Sequence, residues 1–145
     1  MTFDAVHTVW DYFDGPRTGL ADYRGLPHYF VCKFDTAADD YSDLFTLALV
    51  DDETLALALK QWAIWREWEV AFHTGAVTQG SHPGIKGNKA TYAAYEAELQ
   101  ERLGKLQCLQ YSVRATFHAN PGVAQMSPGM MRPFEVSWQD VNKQA

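Results

Sequence analysis

In the segment WAIWREWEVAFHTG (62–75) a glutamate, Glu69, falls on the same helical stripe as Trp62, Trp65 and Phe72, with Arg66 one turn before it and His73 one turn after. Positions i and i+4 are neighbours on a helix, so Glu69 and His73 can meet. Burying a carboxylate among indoles disfavours its charged form unless a cation stands beside it. Arg66, or His73 when protonated, would be that cation. Glu69 and His73 are therefore candidates for general acid–base chemistry. With His82, supplied by the SHPG turn (81–84), they also form a candidate metal-ligand trio. The competing reading is a structural ion pair, with His73 favoured near the helix's C-terminal end by the macrodipole. The spacing is less specific than HExxH, because one ligand must come from a loop.

A second candidate is the turn DGPRTG (14–19). Asp14 and Arg17 project from it, and an arginine fixed in a tight turn can grip a carboxylate or phosphate with two parallel hydrogen bonds. The plainer reading is a hairpin with a local Asp–Arg pair. Neither GxxxxGK[ST] nor GxGxxG occurs, so no phosphate-cradling loop is expected. His28 and Cys32 are four residues apart on one strand face, too distant to share a metal. Ser81 is not set in a GxSxG elbow. Trp62, Trp65 and Trp68 recur every third residue, and a pocket lined by one or two of them would suit a planar or cationic ligand. Met126, Met130 and Met131 lie in a long Pro/Gly loop (120–133) and suggest an adaptable lid or contact patch.

The elements that position these residues follow from periodicity. Aromatic and β-branched residues mark strands at 7–13, 20–23, 28–34 and 44–50, with turn chemistry at DGPRTG and RGLP and an acidic loop at 35–43. Asp51 and Asp52 are N-cap candidates for a helix over 53–74, and Gly75 is a stop. Leu55, Leu59, Trp62, Trp65 and Phe72 make one stripe, and Leu57, Ile64 and Trp68 another. That width implies a helix buried between the sheet and another element. A second helix is expected over 89–106, capped by Asn88, with a narrow stripe of Tyr92, Tyr95, Leu99, Leu103 and Leu106. Strict alternation then marks strands at 108–118 and 134–138.

Strands, two helices, then strands again predict one α+β domain over residues 1–145. Its expected form is a mainly antiparallel sheet, an N-terminal meander plus two C-terminal strands, with two helices packed on one face. A barrel-like curl of the first four strands, of the SH3 type, is the alternative.

Composition narrows function more than it identifies it. Hydrophobic residues are 47% and aromatics 14%, which excludes a disordered chain. A net charge of −6 with scattered Lys and Arg disfavours binding to nucleic acid or an anionic membrane, and suits a cationic ligand or basic partner. Two cysteines form no disulfide framework and no signal peptide or spanning segment is evident, so a cytoplasmic location is expected.

The run VWDYFDGPRTGLADYRGLPHYF, followed by WAIWREWEVAFHTG and SHP, resembles a family of small uncharacterised bacterial proteins over roughly the first three-fifths of the chain. The resemblance implies a bacterial or phage origin and nothing about chemistry. Three readings of function follow. The leading one is a small binding or interaction protein, accessory or immunity-type, taking a small molecule or a protein partner. The second is an enzyme using Glu69 and His73, with Arg17 or Arg66 orienting an anion. The third is a homodimeric module joined through the Met-rich loop or a strand edge. No particular cofactor is indicated.

Overall fold

The meander expected over the first fifty residues forms, and then it curls shut. In a computed structural model describing residues 2–85, 87–119 and 133–141, the chain opens with β1 (Asp4–Tyr12), β2 (Pro16–Tyr23), β3 (Leu26–Asp35) and β4 (Asp40–Leu49). Two helices follow, α1 (Asp52–His73) and α2 (Ala90–Leu103), separated by a short 3-10 turn at Gln79–Ser81. Then come β5 (Val113–Ala119) and β6 (Phe134–Asp140). Each strand pairs antiparallel with the next, and β6 returns to β1 through Asp4↔Val136 and Ala5↔Glu135. The six strands make a closed barrel in sequence order.

This overturns the expected open sheet with two helices packed on one face. Alternation reports which side of a strand is buried, and that pattern is the same for an open sheet and a small barrel. Closure instead reflects sheet edges, which pair with each other rather than stay exposed. Register shifts in β1, between Val6 and Thr8 and again between Val9 and Tyr12, supply the local bending that a barrel needs. The alternative of a four-strand curl also falls short, since β5 and β6 complete the wall.

Turn chemistry holds the hairpins. Between β2 and β3, Arg24 and Gly25 take φ of 53° and 81°, both left-handed, as a two-residue hairpin turn requires. At Gly19 the constraint is contact: a Cβ there would lie 2.1 Å from the Thr8 carbonyl oxygen and 2.8 Å from the Phe30 ring. The acidic loop is shorter than expected. β4 starts at Asp40, and Asp35 accepts from the backbone N–H groups of Ala37 and Ala38.

Aromatic rings fill the barrel. Phe30 (β3), Phe45 (β4), Phe117 (β5) and Trp138 (β6) meet one another with centroids 5.4 to 6.1 Å apart, half of the pairs edge to face and half tilted. Ala21, Leu47, Val113 and Val136 complete this interior. At one end Tyr23 donates to Asp140 at 2.9 Å, and Arg24 donates to the same carboxylate at 2.6 Å.

A second core lies outside the barrel wall. Leu20 points away from the interior and is buried with Ala58 of α1 and Leu99 of α2, while Trp10, Tyr29, Leu55 and Leu103 pack around them. The helices are thus one insertion between β4 and β5, laid against the outer surface of β1, β2 and β3. Asp51 caps α1 by accepting from the Thr54 N–H at 2.7 Å, and Gly75 follows its end, as expected.

The buried stripe of α1 differs from the expected one. Thr54, Ala58, Gln61 and Glu69 are buried, whereas Leu59 is 41% exposed. Small and polar residues let α1 approach the barrel and α2 closely, and the large apolar side chains spread around the flanks. The start of α2 also differs. Lys89 occupies the cap position without a side-chain bond, and Asn88 instead donates to the carbonyls of Gly80 and His82. The strand expected from Cys108 begins at Val113, preceded by a single bridge between Cys108 and Ala48.

Candidate functional site

Most of the chemistry read from α1 is used to hold the fold. Glu69 is 4% exposed and paired with Arg66 one turn earlier. His73 is exposed, and its ring packs on Phe72 with centroids 5.2 Å apart. The His82 ring packs at a tilt against Trp68, with centroids 4.5 Å apart, and its Nδ1 accepts from the Gly84 N–H at 2.8 Å. Among the described residues no group of three His, Cys, Asp or Glu side chains is placed to hold a metal ion, so Glu69, His73 and His82 are not brought together. Trp62 and Trp65 stack on each other at 4.9 Å, and Trp62 with Arg66 borders a hollow of only about 80 Å³ beside His7 and Phe134.

The turn pair is also occupied. Arg17 donates to the carbonyls of Phe13 (2.7 Å) and Asp14 (3.2 Å) and lies 4.5 Å from the Tyr41 ring centre. It grips the turn's backbone rather than the Asp14 side chain, which is exposed on a residue with φ of 53°. Cys32 lies beneath, and its thiol donates to the Ser42 carbonyl at 3.1 Å. Burial pushes that thiol's pKa up, against the opposing pull of Arg17. A thiol so held is a poor nucleophile. Met126, Met130 and Met131 lie outside the described residues.

A larger feature lies between the barrel wall and α2, a groove of about 700 Å³. The strands contribute Trp10, Asp11, Thr18 and Tyr29, α1 contributes Gln61, and α2 contributes Tyr92, Glu96 and Leu103. The loop before α2 borders it through Pro83, Gly84 and Ile85. The SHPG turn therefore has a positioning part: the bond from Gly84 to His82 and the two from Asn88 fix the loop at the groove.

A hydrogen-bond relay organises this groove. The Trp10 indole N–H donates to Gln61 Oε1 at 3.1 Å, and Gln61 Nε2 donates to Glu96 Oε2. Gln100 donates to the other Glu96 oxygen at 3.0 Å. Gln61 is 2% exposed, so the relay joins barrel, α1 and α2 through a buried amide. Asp11 accepts from Thr18 Oγ1 at 2.8 Å. The phenols of Tyr29 and Tyr92 are held above their ordinary pKa, first by burial and then by a neighbouring carboxylate, Asp11 for Tyr29 and Glu96 for Tyr92. Both tyrosines are neutral at physiological pH.

None of the groove residues was singled out by the sequence's chemical motifs. Trp10 and Tyr29 are ordinary members of strand alternation, and Tyr92 belongs to a narrow helix stripe. The usable signal was Gln61, a polar residue three positions after Ala58 on a face that must be buried. A buried amide needs partners for both its ends, so it points to a polar contact between elements.

No helix among the described residues is long and apolar enough to cross a membrane. No protein-family model, curated protein or solved structure matches this chain.

Proposed function

We propose that this is a small-molecule-binding protein that takes an elongated, partly apolar ligand into the groove between the barrel and α2. The observation that carries the reading is the groove itself. Its volume of about 700 Å³ falls within the ordinary range for ligand sites, and its walls combine Trp10, Tyr29, Tyr92 and Leu103 with a few fixed polar groups. Those polar groups are pre-set by the Trp10–Gln61–Glu96 relay, which lowers the cost of ordering a site on binding. The acid–base reading is weaker, because Glu69 is committed to Arg66 and His73 packs on Phe72. Cytoplasmic residence belongs to the same proposal, supported by two free thiols, Cys32 and the exposed Cys108.

Native mass spectrometry on gently purified protein tests the proposal. The expected result is a bound mass that disappears in Ala97→Trp, which fills the groove from the exposed side of α2. A bound mass that persists in that variant would move the ligand elsewhere.

A second reading, docking of a protein partner, draws on an aromatic patch at the barrel's end. Phe13 is 66% exposed and Phe34 49%, and both rings contact Tyr41. Contiguous exposed rings of this kind mark interaction surfaces. Capture of a partner that is lost in Phe13→Ser with Phe34→Ser would favour it.

A further inference from the structure

The groove holds two carboxylates, Asp11 of β1 and Glu96 of α2, and among the described residues neither forms an ion pair with Lys, Arg or His. The donors they do have are neutral: Thr18 for Asp11, and Gln61 and Gln100 for Glu96. Neutral donors fix the oxygens in place and leave the charge uncancelled. Glu96 in particular is held at both oxygens, so its position is set before any ligand arrives. Each carboxylate lines the groove together with a half-buried tyrosine whose phenol it helps keep neutral, Asp11 with Tyr29 and, one turn apart on α2, Glu96 with Tyr92.

This arrangement favours one sign of ligand. The faces of aromatic rings attract cations, and a carboxylate beside such a face adds to the attraction. A negative headgroup would meet two carboxylates, with no Lys, Arg or His among the groove's described lining residues to offset them. The protein's net charge of −6 acts in the same direction over longer range. Resting on the groove being the binding site, we infer that its ligand is an organic cation. Its ammonium or amidinium head lies between Glu96 and the Tyr92 ring, and its apolar tail runs along Trp10, Tyr29 and Leu103.

Three probes that share one tail separate this inference from the reading beneath it: 4-phenylbutylamine, 4-phenylbutanol and 4-phenylbutyrate, titrated by calorimetry with NMR mapping of the tyrosine and indole signals. The expected order is amine, then alcohol, then carboxylate, with the amine ahead of the alcohol by about tenfold or more. In Glu96→Gln the amine falls to the level of the alcohol; one of the two donors to Glu96, Gln61 or Gln100, loses its acceptor there, so amine and alcohol are compared within that variant. Equal binding of amine and alcohol by the parent protein would overturn the cation while leaving the groove standing, and so would a preference for the carboxylate. An amine advantage that survives Glu96→Gln would overturn the placement of the head. If none of the three shifts the groove signals, the groove reading fails and the cation fails with it. The parent-protein comparison needs no variant, so a folding defect in Glu96→Gln cannot shield the inference.

Discussion

Trp10 and Gln61 stand 51 positions apart in the chain, and the 3.1 Å hydrogen bond between them ties the barrel wall to α1. Gln61 passes the connection on to Glu96 of α2, so one buried amide serves three elements. Gln61→Ala leaves an indole N–H and a carboxylate without that partner, and should cost about 2 kcal/mol. Urea denaturation measures the loss. If Gln61→Ala denatures at the parent's midpoint, the relay is not a structural tie.

Gly19 is a sharper test of the barrel. Its missing Cβ is what allows β2 to approach the Thr8 carbonyl and the Phe30 ring. Gly19→Ala would press a methyl group onto backbone that cannot swing aside. The expected loss exceeds about 3 kcal/mol, among the larger effects of single substitutions, and would show as a lowered thermal midpoint or insoluble protein.

Glu69 and His73 should behave oppositely, although they are neighbours on α1. Glu69→Gln breaks a largely buried pair with Arg66 and should cost roughly 3 kcal/mol. His73→Ala removes an exposed ring and should change stability by no more than about 0.5 kcal/mol. Thermal denaturation of the two variants side by side decides between a structural pair and an acid–base couple. A couple used for function would spare stability in both.

Asp51 gives a pH dependence of known sign. Its bonds to Thr54 at the start of α1 hold its pKa below the ordinary aspartate value of 3.8. A carboxyl whose pKa is lower folded than unfolded contributes its full stabilisation above the unfolded value, and loses it as pH falls through the folded one. Asp51→Asn keeps a capping oxygen without the titration. The parent should therefore lose more of its thermal midpoint than Asp51→Asn does as pH is lowered below about 4. Parallel curves for the two proteins would remove Asp51 as a contributor.

How much of this was legible in the sequence depended on whether the signal was local. The first four strands showed themselves by aromatic and β-branched residues between turn signals, the last two by alternation, and α1 by its cap at Asp51 and stop at Gly75, because these are properties of adjacent residues. Closure was not legible, since pairing of Ala5 with Glu135 leaves no trace in either neighbourhood. Counting large apolar side chains also misjudged α1. The face that packs closest carries Thr54, Ala58 and Gln61, where smallness and hydrogen bonding matter more than hydropathy. The site escaped for a related reason. Tyr92 read as one residue of a narrow apolar stripe and Glu96 carried no signal of its own, and only the barrel wall facing them makes a groove.

The seam between β1 and β6 has a consequence for how the molecule comes apart. Among the described residues its strand pairs are Asp4↔Val136 and Ala5↔Glu135, whereas β2 and β3 pair along their whole shared length. Those two pairs also bridge the greatest chain separation in the barrel, so the chain entropy of closing them is the largest and they form late in folding. Tension applied between residues 4 and 140 would therefore open a two-rung latch first. The long hairpins, and the groove carried on the outer face of β1, β2 and β3, would yield only afterwards.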